Sequence, residues 1–272
     1  MKIKTQEISF PFLKEKKIRL FIKRIDQIHK YVSGNKWYKL KYNFTEARKR
    51  GFKSILTFGG AFSNHIAATA YLAKKNGFFC IGIIRGEEQL PLNPTLAYAV
   101  EQGMRIHYVS RIDYRLKDTV DFLNKMKFHF GAFYLIPEGG TNKLAVKGAS
   151  DILDLNDTQD YICCPVGTGG TMAGIINSSN ERQKVIGFPA IKGSAKLEQD
   201  MLSWANKKNY KFINDYSFGG YAKLTDTLVD FVNNFYKTQG IPLDVVYTGK
   251  MMLGVIDLVA KDYFPEGSNI LT

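Results

Sequence analysis

The sequence contains few cysteines and few histidines. Three cysteines and four histidines occur among its 272 residues. Two of the cysteines, Cys163 and Cys164, are adjacent in the apolar run YICCPV, which is typical of free thiols buried in a strand. The sequence shows neither CxxC spacing nor histidines paired at the spacing of metal ligands, so we predict no metal site.

Long apolar runs are absent as well. None approaches the roughly 18 residues that a membrane-spanning helix needs. The first 17 residues, MKIKTQEISFPFLKEKK, contain neither the apolar core of a signal peptide nor a small-residue cleavage site. We therefore expect a soluble, cytoplasmic protein without a membrane partner.

Acidic residues are too few to balance the basic ones. There are 25 Asp and Glu against 38 Lys and Arg, which gives a formal net charge of +13. Such an excess suits nucleic acid, an anionic surface or small anionic ligands. The densest basic clusters, KEKK at 14–17 and ARKR at 47–50, are not part of an aromatic RNA-binding motif. We expect a solvated basic surface and no specific nucleic-acid partner.

Short apolar runs alternate along the chain with longer helical patterns. This alternation predicts βαβ units and an α/β fold with mainly parallel sheets. The predicted strands lie at 17–25, 53–60, 78–86, 105–110, 132–140, the start of 161–170, 184–190 and 268–272. The predicted helices lie at 36–50, 63–77, from Thr171 onward, 222–238 and 249–262. We predict a small inserted domain at 38–146 and a larger domain formed by 1–37 and 147–272.

A glycine-rich loop, VGTGGTMAG at 166–174, follows a buried strand and opens a helix. Small residues there let backbone N–H groups converge on one point, and Thr168 and Thr171 add hydroxyl donors. The loop is not a dinucleotide fingerprint, because Met172 stands where the final glycine is required, and no GK[ST] follows. The pattern predicts a phosphate or carboxylate site, with a purely structural turn as the alternative.

A second loop, TFGGAFSNHIAATA at 57–70, also joins a strand to a helix. Ser63, Asn64 and His65 lie at the junction, where serine or asparagine is often only the N-cap of the helix. Ligands of open α/β sheets bind at the carboxyl ends of strands. Backbone N–H groups at that place suit a substrate carboxylate.

Lys36 lies in SGNKWYKLKYN (33–43), behind a glycine, where a helix is predicted to start. It can be a solvated side chain, an anion binder or a nucleophile.

A third segment, LDVVYTGKMMLGVIDL (243–258), places Tyr247 and Thr248 before another helix, where a tyrosine is most often a packing residue. A phosphate cradle, a lysine amine and a carboxylate-binding loop are what pyridoxal phosphate chemistry requires, so this cofactor is a hypothesis to test.

The sequence resembles the fold-type II pyridoxal phosphate enzymes, in particular the family of 1-aminocyclopropane-1-carboxylate deaminase and D-cysteine desulfhydrase. The matching segments occur in the family order and span nearly the whole chain: KRID (23–26), SGNKWYKL (33–40), FGGAFSNH (58–65), PEGGTN (137–142), GTGGTMAG (167–174), GGYAKLTD (219–226) and VYTGKMMLG (246–254). The resemblance implies the two-domain fold of the tryptophan synthase β subunit, with mainly parallel twisted sheets flanked by helices. It also implies pyridoxal 5'-phosphate as the cofactor, a small amino acid as the substrate, and a homodimer.

The resemblance further implies roles for single residues. Lys36 would form the Schiff base with the cofactor aldehyde and later move protons at the substrate Cα. Asn64 would hydrogen-bond the 3′-hydroxyl of the cofactor, and Ser63 and His65 would face the substrate carboxylate beside it. The residues that would hold the cofactor phosphate are Gly167, Thr168, Gly169, Gly170 and Thr171, with Lys39 assisting. Tyr221 and Tyr247 would be the two active-site tyrosines, one of them stacking near the ring or assisting proton transfer.

Thr248 separates two activities of this family. The ring-opening deaminases resemble this segment but have an acidic residue after the tyrosine, against the pyridine nitrogen of the cofactor. A carboxylate there favours a protonated ring, whereas a threonine hydroxyl cannot hold that proton by charge. The resulting weaker electron sink suits β-elimination of a good leaving group. We therefore predict a lyase of the D-cysteine desulfhydrase type, which releases pyruvate, ammonia and sulfide.

Two alternatives stay open. Membership of the same family, together with Ser63 and Tyr247, is also compatible with 1-aminocyclopropane-1-carboxylate deamination. A catalytically inactive homologue that acts as a basic binding protein is suggested by the net charge of +13 and by the end of the sequence at SNILT (268–272). The family pattern continues beyond this point toward the site, so a missing wall would be expected to change turnover.

Overall fold

Strands and helices alternate over most of the chain in the computed structural model, which describes residues 3–191 and 193–272; Met1, Lys2 and Lys192 lie outside the described residues. The strands are β1 (Thr5–Ile8), β2 (Arg19–Lys23), β3 (Ser54–Gly59), β4 (Phe79–Arg85), β5 (Met104–Val109), β6 (Tyr134–Ile136), β7 (Tyr161–Val166), β8 (Lys184–Pro189), β9 (Tyr210–Phe212) and β10 (Asn269–Leu271). The α-helices are α1 (Pro11–Glu15), α2 (Asn35–Lys49), α3 (Asn64–Asn76), α4 (Pro94–Glu101), α5 (Arg111–Tyr114), α6 (Val120–Phe130), α7 (Lys143–Ala149), α8 (Gly170–Ser178), α9 (Ser194–Leu202), α10 (Asp226–Gln239) and α11 (Thr248–Ala260). None of the helices in the described ranges is long and apolar enough to cross a membrane.

The chain divides into two compact units. One, which we call the inserted unit, is Asp26–Gly148. The other, the flanking unit, consists of the residues up to Ile25 together with Ala149–Thr272. From the sequence we placed the domain boundaries after residues 37 and 146. These boundaries stay a prediction.

The inserted unit is built on a four-stranded sheet with the order β5-β4-β3-β6, in which all neighbouring strands are parallel. Strand β3 lies inside this sheet, and both of its faces are covered, as is usual for parallel strands. Ile55 packs in one apolar cluster with Phe44 and Ile66, whereas Leu56 and Phe58 pack in another cluster. This double-sided burial fixes the carboxyl end of β3 and therefore the start of the loop that follows it.

The flanking unit contains a six-stranded sheet with the order β1-β2-β10-β7-β8-β9. Only the pairing of β1 with β2 is antiparallel among the described strands of this sheet. Helices α10 and α11 contribute buried residues, including Leu228, Val232, Met252 and Val255, to its apolar core. The predicted α/β fold with mainly parallel sheets flanked by helices is confirmed.

Two predicted elements have different bounds in the structure. The helix expected at 222–238 begins only at Asp226, because the Thr225 hydroxyl caps it by accepting a hydrogen bond from a first-turn N–H group. Residues before this cap form an exposed loop instead. The strand expected at 132–140 covers only Tyr134–Ile136, since a proline follows and cannot donate to the strand ladder.

Candidate active site

Lys36 lies in the first turn of α2, which begins at Asn35 directly after Gly34. Its side chain is half-buried, and its Nζ donates a hydrogen bond to Asn35 Oδ1 over 2.8 Å. The N-terminal turn of a helix carries partial positive charge and therefore disfavours a further ammonium group. An amine at this place is suited to attack a carbonyl group once it has lost its proton.

Lys39 follows Lys36 by three residues and is almost completely buried, with 2% of its surface exposed. Its Nζ donates a hydrogen bond to Thr141 Oγ1 over 2.7 Å. Burial, and then the charge of Lys36, hold the pKa of Lys39 well below its usual value. A bound phosphate would favour the charged form of this amine, so the position suits the predicted assistance in phosphate binding, which stays a prediction.

Ser63 lies at the N-cap position of α3, at the carboxyl end of β3. Its hydroxyl makes no capping hydrogen bond with the helix, so an N-cap function does not account for this serine. Ser63 is half-buried and Asn64 is exposed. The first-turn N–H groups of a helix have no acceptor within the helix. Together with the serine hydroxyl they form the donor set that a carboxylate-binding loop requires.

His65 is 1% exposed, and its Nε2 lies 2.7 Å from Thr57 Oγ1. The Thr57 hydroxyl donates its hydrogen to the carbonyl of Ile136 over 2.8 Å. Nε2 must therefore donate to Thr57, and Nδ1 carries no proton. Burial, and then the charges of Lys36 and Lys39, hold the pKa of His65 well below its usual value, so the ring is neutral. Its predicted contact with a substrate carboxylate stays a prediction.

Replacing His65 with glutamine is expected to make folding less sensitive to acid. Because the pKa of His65 is lowered from 6.5 in the folded protein, only the unfolded chain takes up this proton as the pH falls below that value. Above about pH 6.5 this proton has no effect on the free energy of unfolding. Below that pH the free energy of unfolding falls, by at most about 1.4 kcal/mol per pH unit. Urea unfolding of the cofactor-free proteins between about pH 5 and 8 measures this effect. A constant difference between wild type and variant would contradict it.

The glycine loop connects β7 to α8 in the flanking unit. Helix α8 begins at Gly170, one residue before the predicted start, and Gly169 precedes it with a left-handed φ of 79°. A Cβ atom at Gly167 would come within 3.1 Å of the Tyr247 ring, so a side chain there would crowd the loop. Thr168 is exposed and Thr171 is half-buried at the same helix start. Small residues thus bring the backbone to a helix N-terminus, where an anion is stabilised.

Two tyrosines accompany this loop. The rings of Tyr221 and Tyr247 have centroids 6.1 Å apart and cross at 62°. Tyr221 is 37% exposed, and Tyr247 is half-buried immediately before α11. Tyr247 therefore lies beside Gly167 of the glycine loop, and Tyr221 lies beside Tyr247 in the same unit.

Thr248 is the first residue of α11, and its side chain is engaged with the preceding turn. Its Oγ1 accepts a hydrogen bond from the backbone N–H of Asp244 over 2.7 Å. The predicted position of this hydroxyl near the pyridine nitrogen of a cofactor stays a prediction. The structure assigns the hydroxyl a local function in the turn before the helix.

The predicted residues fall into two sets. Lys36 and residues 63–65 belong to the inserted unit, where the lysine charges act on His65. Gly167, Tyr221 and Tyr247 belong to the flanking unit. Within the described residues, no group of three or more His, Cys, Asp or Glu side chains is arranged to hold a metal ion.

Sequence reasoning gave no function to Lys250, which the structure places in contact with the loop before Tyr221. Its ammonium group donates hydrogen bonds to the carbonyl oxygens of Ser217 and Gly220. The available signal was a lysine within the otherwise apolar helical run TGKMMLGV.

Enzymes that bind a phosphorylated aldehyde cofactor have features that are also present here. These are parallel α/β sheets, a lysine at one helix start and a glycine-lined anion cradle at another. The pattern of the family described as pyridoxal-phosphate dependent enzyme matches residues 3–272. The chain belongs to this family, and its cofactor is pyridoxal phosphate.

Several relatives support the finer resemblance. A Thermotoga maritima protein, named provisionally as 1-aminocyclopropane-1-carboxylate deaminase, is 31% identical over 88% of this chain and 83% of its own length. The 1-aminocyclopropane-1-carboxylate deaminase of Rhizobium rhizogenes is 27% identical over 94% of this chain and 86% of its own length. A crystal structure of a homologue of this deaminase superimposes with a TM-score of 0.84 at 26% identity, covering 100% of this chain and 88% of the other.

The residues present fit the cofactor. The glycine loop takes its course only without side chains, because a Cβ atom at Gly167 or Gly169 would meet Tyr247 or Met201. Its backbone reaches the start of α8, where N–H groups suit a phosphate. Lys36 supplies an amine at a helix start for the aldehyde. Both features are those that the chemistry of pyridoxal phosphate requires.

Proposed function

We propose that the protein is a pyridoxal-phosphate dependent lyase that removes sulfide from D-cysteine, or from a similar small amino acid with a β-leaving group. The products are pyruvate and ammonia. The observation that carries the proposal is the threonine after Tyr247, where the deaminase pattern has an acidic residue. Because the Thr248 hydroxyl is neutral and bonded to the Asp244 backbone, it favours a weaker electron sink.

The nearest acidic residue in the sequence is engaged in the turn before α11. Asp244 lies four residues before Thr248, and its Oδ1 accepts hydrogen bonds from the backbone N–H groups of Val246 and Tyr247, each over 2.9 Å. This oxygen is therefore committed to the turn that precedes α11. The arrangement supports elimination of a good leaving group rather than ring opening.

Pyridoxal phosphate supplies an aldehyde that condenses with amines and a ring that stabilises negative charge at the substrate Cα. In the proposed reaction, Lys36 would hold the cofactor aldehyde until the substrate amine takes its place, and the freed Lys36 amine would then take the proton from Cα. The Ser63 hydroxyl and the first-turn N–H groups of α3 bind and orient the substrate carboxylate. Asn64 hydrogen-bonds the 3′-hydroxyl of the cofactor.

The remaining predicted residues have supporting roles in this proposal. The phosphate is bound by the loop 167–171, with Lys39 assisting. His65, which is neutral and hydrogen-bonded to Thr57, holds the first turn of α3 in place rather than carrying charge to the substrate. A phenol of Tyr221 or Tyr247 stacks near the ring or passes a proton to the leaving group.

The second candidate function is 1-aminocyclopropane-1-carboxylate deamination. The names of the relatives from Thermotoga maritima and Rhizobium rhizogenes favour it. Ser63 and Tyr247 are compatible with either reaction. The two candidates differ in the electron sink that they require, which makes Thr248 the residue that favours the first.

Incubation of the purified holoenzyme with D-cysteine, L-cysteine and 1-aminocyclopropane-1-carboxylate tests the proposal. We expect sulfide and pyruvate from D-cysteine at a higher rate than 2-oxobutyrate from the cyclopropane substrate. The Lys36→Ala variant with added cofactor gives the background from free pyridoxal phosphate. Faster formation of 2-oxobutyrate would favour the deaminase, and failure to bind the cofactor at all would favour a non-catalytic basic binding protein.

Two further proposals concern the protein as a whole. A homodimer rests on the family resemblance, and a cytoplasmic location rests on the composition of the sequence. Sedimentation of the purified protein checks the first, and fractionation of cells that produce it checks the second.

A further inference from the structure

Lys250 is a buried cation whose two hydrogen-bond partners are in one loop. It lies in α11 and is 2% exposed. Its Nζ donates to the carbonyl of Ser217 over 2.8 Å and to the carbonyl of Gly220 over 2.7 Å. Burying an ammonium group is costly unless its hydrogen bonds are made. These two carbonyl groups therefore explain how the charge is accommodated inside the unit.

The loop that Lys250 contacts has a strained backbone. Phe218 and Ala222 have φ values of 49° and 54°, which residues with a side chain seldom adopt. Two glycines with positive φ lie between them, Gly219 and Gly220. Such a conformation persists only where the surroundings enforce it.

Apolar packing holds only the start of this loop, where Phe218 packs against the apolar core of the flanking unit. Tyr221 and Ala222 are exposed, as are the residues that follow up to Thr227. Two backbone hydrogen bonds close turns in this segment, from the N–H of Gly220 to the carbonyl of Ser217 over 3.0 Å and from the N–H of Lys223 to the carbonyl of Gly220 over 3.2 Å. Hydrogen bonds from a charged donor are stronger than such neutral ones. The ammonium group of Lys250 therefore anchors the exposed end of the loop, through the carbonyl of Gly220 that precedes Tyr221.

The anchored loop carries a proposed active-site tyrosine. Tyr221 directly follows Gly220, whose carbonyl Lys250 binds. Tyr247, the ring partner of Tyr221, lies three residues before Lys250 at the start of the same helix. One side chain thus connects the element that carries Tyr247 to the loop that carries Tyr221.

We propose that Lys250 is a positioning residue that ties the loop 217–222 to α11 and thereby fixes the Tyr221 ring against Tyr247 for the reaction. The proposal rests on the proposed function, because it assigns the tyrosine pair to catalysis. Its structural part, the anchoring of the loop, is independent of any substrate. The two parts can be tested separately.

Lys250→Met removes the ammonium group and keeps a long apolar side chain. Hydrogen–deuterium exchange of peptides covering 217–223 measures the anchoring, in the cofactor-free protein and in the holoenzyme. We expect exchange to accelerate roughly tenfold to a hundredfold, because up to two charge-assisted hydrogen bonds are lost. The matched control is Lys237→Met, which removes an exposed lysine from α10 in the same unit. Lys250→Gln, which can donate to one of the two carbonyl groups, is expected to give an intermediate rate.

The kinetic test uses the amino acid that the wild-type holoenzyme converts. We expect Lys250→Met to lower kcat about tenfold with little change of KM. This is less than the roughly 10² to 10⁴ that a proton-transfer group contributes, because the phenol is displaced and not removed. If Lys250 acts through Tyr221, the substitution should have little further effect in a Tyr221→Phe background. Equal effects in both backgrounds would overturn the positioning part.

The outcomes separate this proposal from the proposed function. Unchanged loop exchange in both Lys250 variants would overturn the anchoring, whatever the activity. Faster exchange with unchanged kcat would overturn the link to catalysis. Should Lys250→Met not fold, Lys250→Gln carries the same measurements. Absence of D-cysteine turnover in the wild type contradicts the proposed function but leaves the exchange result to decide whether Lys250 anchors the loop.

Discussion

Replacing Lys36 with alanine is expected to lower turnover by roughly a thousandfold or more and to remove the visible absorbance of a cofactor bound to a protein amine. The expected size follows from the removal of a covalent attachment point and of a proton-transfer group, the second of which alone contributes about 10² to 10⁴ in rate. Lys36 lies in the first turn of α2, so its loss removes no buried apolar contact of the core. The variant should therefore fold normally while losing activity.

A matched control is Lys49→Ala, which makes the same change of charge at the exposed end of α2. It should keep wild-type absorbance and turnover. Reduction of the wild-type holoenzyme with borohydride, followed by peptide mapping, identifies the lysine that carries the cofactor. Attachment at Lys39, or normal turnover of Lys36→Ala, would show that the assignment of the nucleophile is wrong.

Motifs at the junctions of strands and helices could be located from the sequence because their signals are local. The segments SGNKW, FSNH and GTGGT each combine a glycine or N-cap residue with a following helical pattern. The structure places a helix start within one residue of Lys36, of Ser63 and of Gly169. Agreement between local sequence and fold is the general reason that such predictions succeed.

The functions of buried polar residues could not be read from the sequence, because they depend on partners that are distant in the chain. The contact of His65 with a carboxylate stays a prediction, and the nitrogen of its ring that carries the hydrogen is determined by Thr57, whose own hydroxyl donates to the carbonyl of Ile136, 79 residues away. Lys250 is a similar example, since its partners lie 33 and 30 residues earlier. Only the folded chain brings these groups together.

The loop before α10 shows how one local signal can outweigh another. A helical pattern over 222–238 was recognised, yet the Thr-Asp pair at 225–226 is a typical helix start. The structure follows the cap and leaves the residues before it in an exposed loop. The later start leaves Ala222, directly after Tyr221, in the loop and outside the helix.

Replacing Gly169 with valine is expected to weaken pyridoxal phosphate binding by roughly two orders of magnitude, the effect of losing about two hydrogen bonds to a charged group. Gly169 has a φ of 79°, which a β-branched residue adopts only with strain. In addition, a Cβ atom at this position would come within 3.1 Å of Met201 Cβ. Relief of either conflict turns the backbone N–H groups of the loop away from the phosphate.

Titration of the cofactor-free protein with pyridoxal phosphate, followed by absorbance, measures the dissociation constant. Gly240→Val is the matched control, because Gly240 also has a positive φ, 66°, in the same unit but has no neighbouring atoms within 4 Å of a new Cβ. Both variants should lose stability from backbone strain, whereas only Gly169→Val should lose affinity for the cofactor. Equal affinities in the two folded variants would mean that the glycine loop is a structural turn and that the phosphate is bound elsewhere. A selective loss at Gly169 would instead connect the left-handed backbone of a single glycine to the retention of the cofactor.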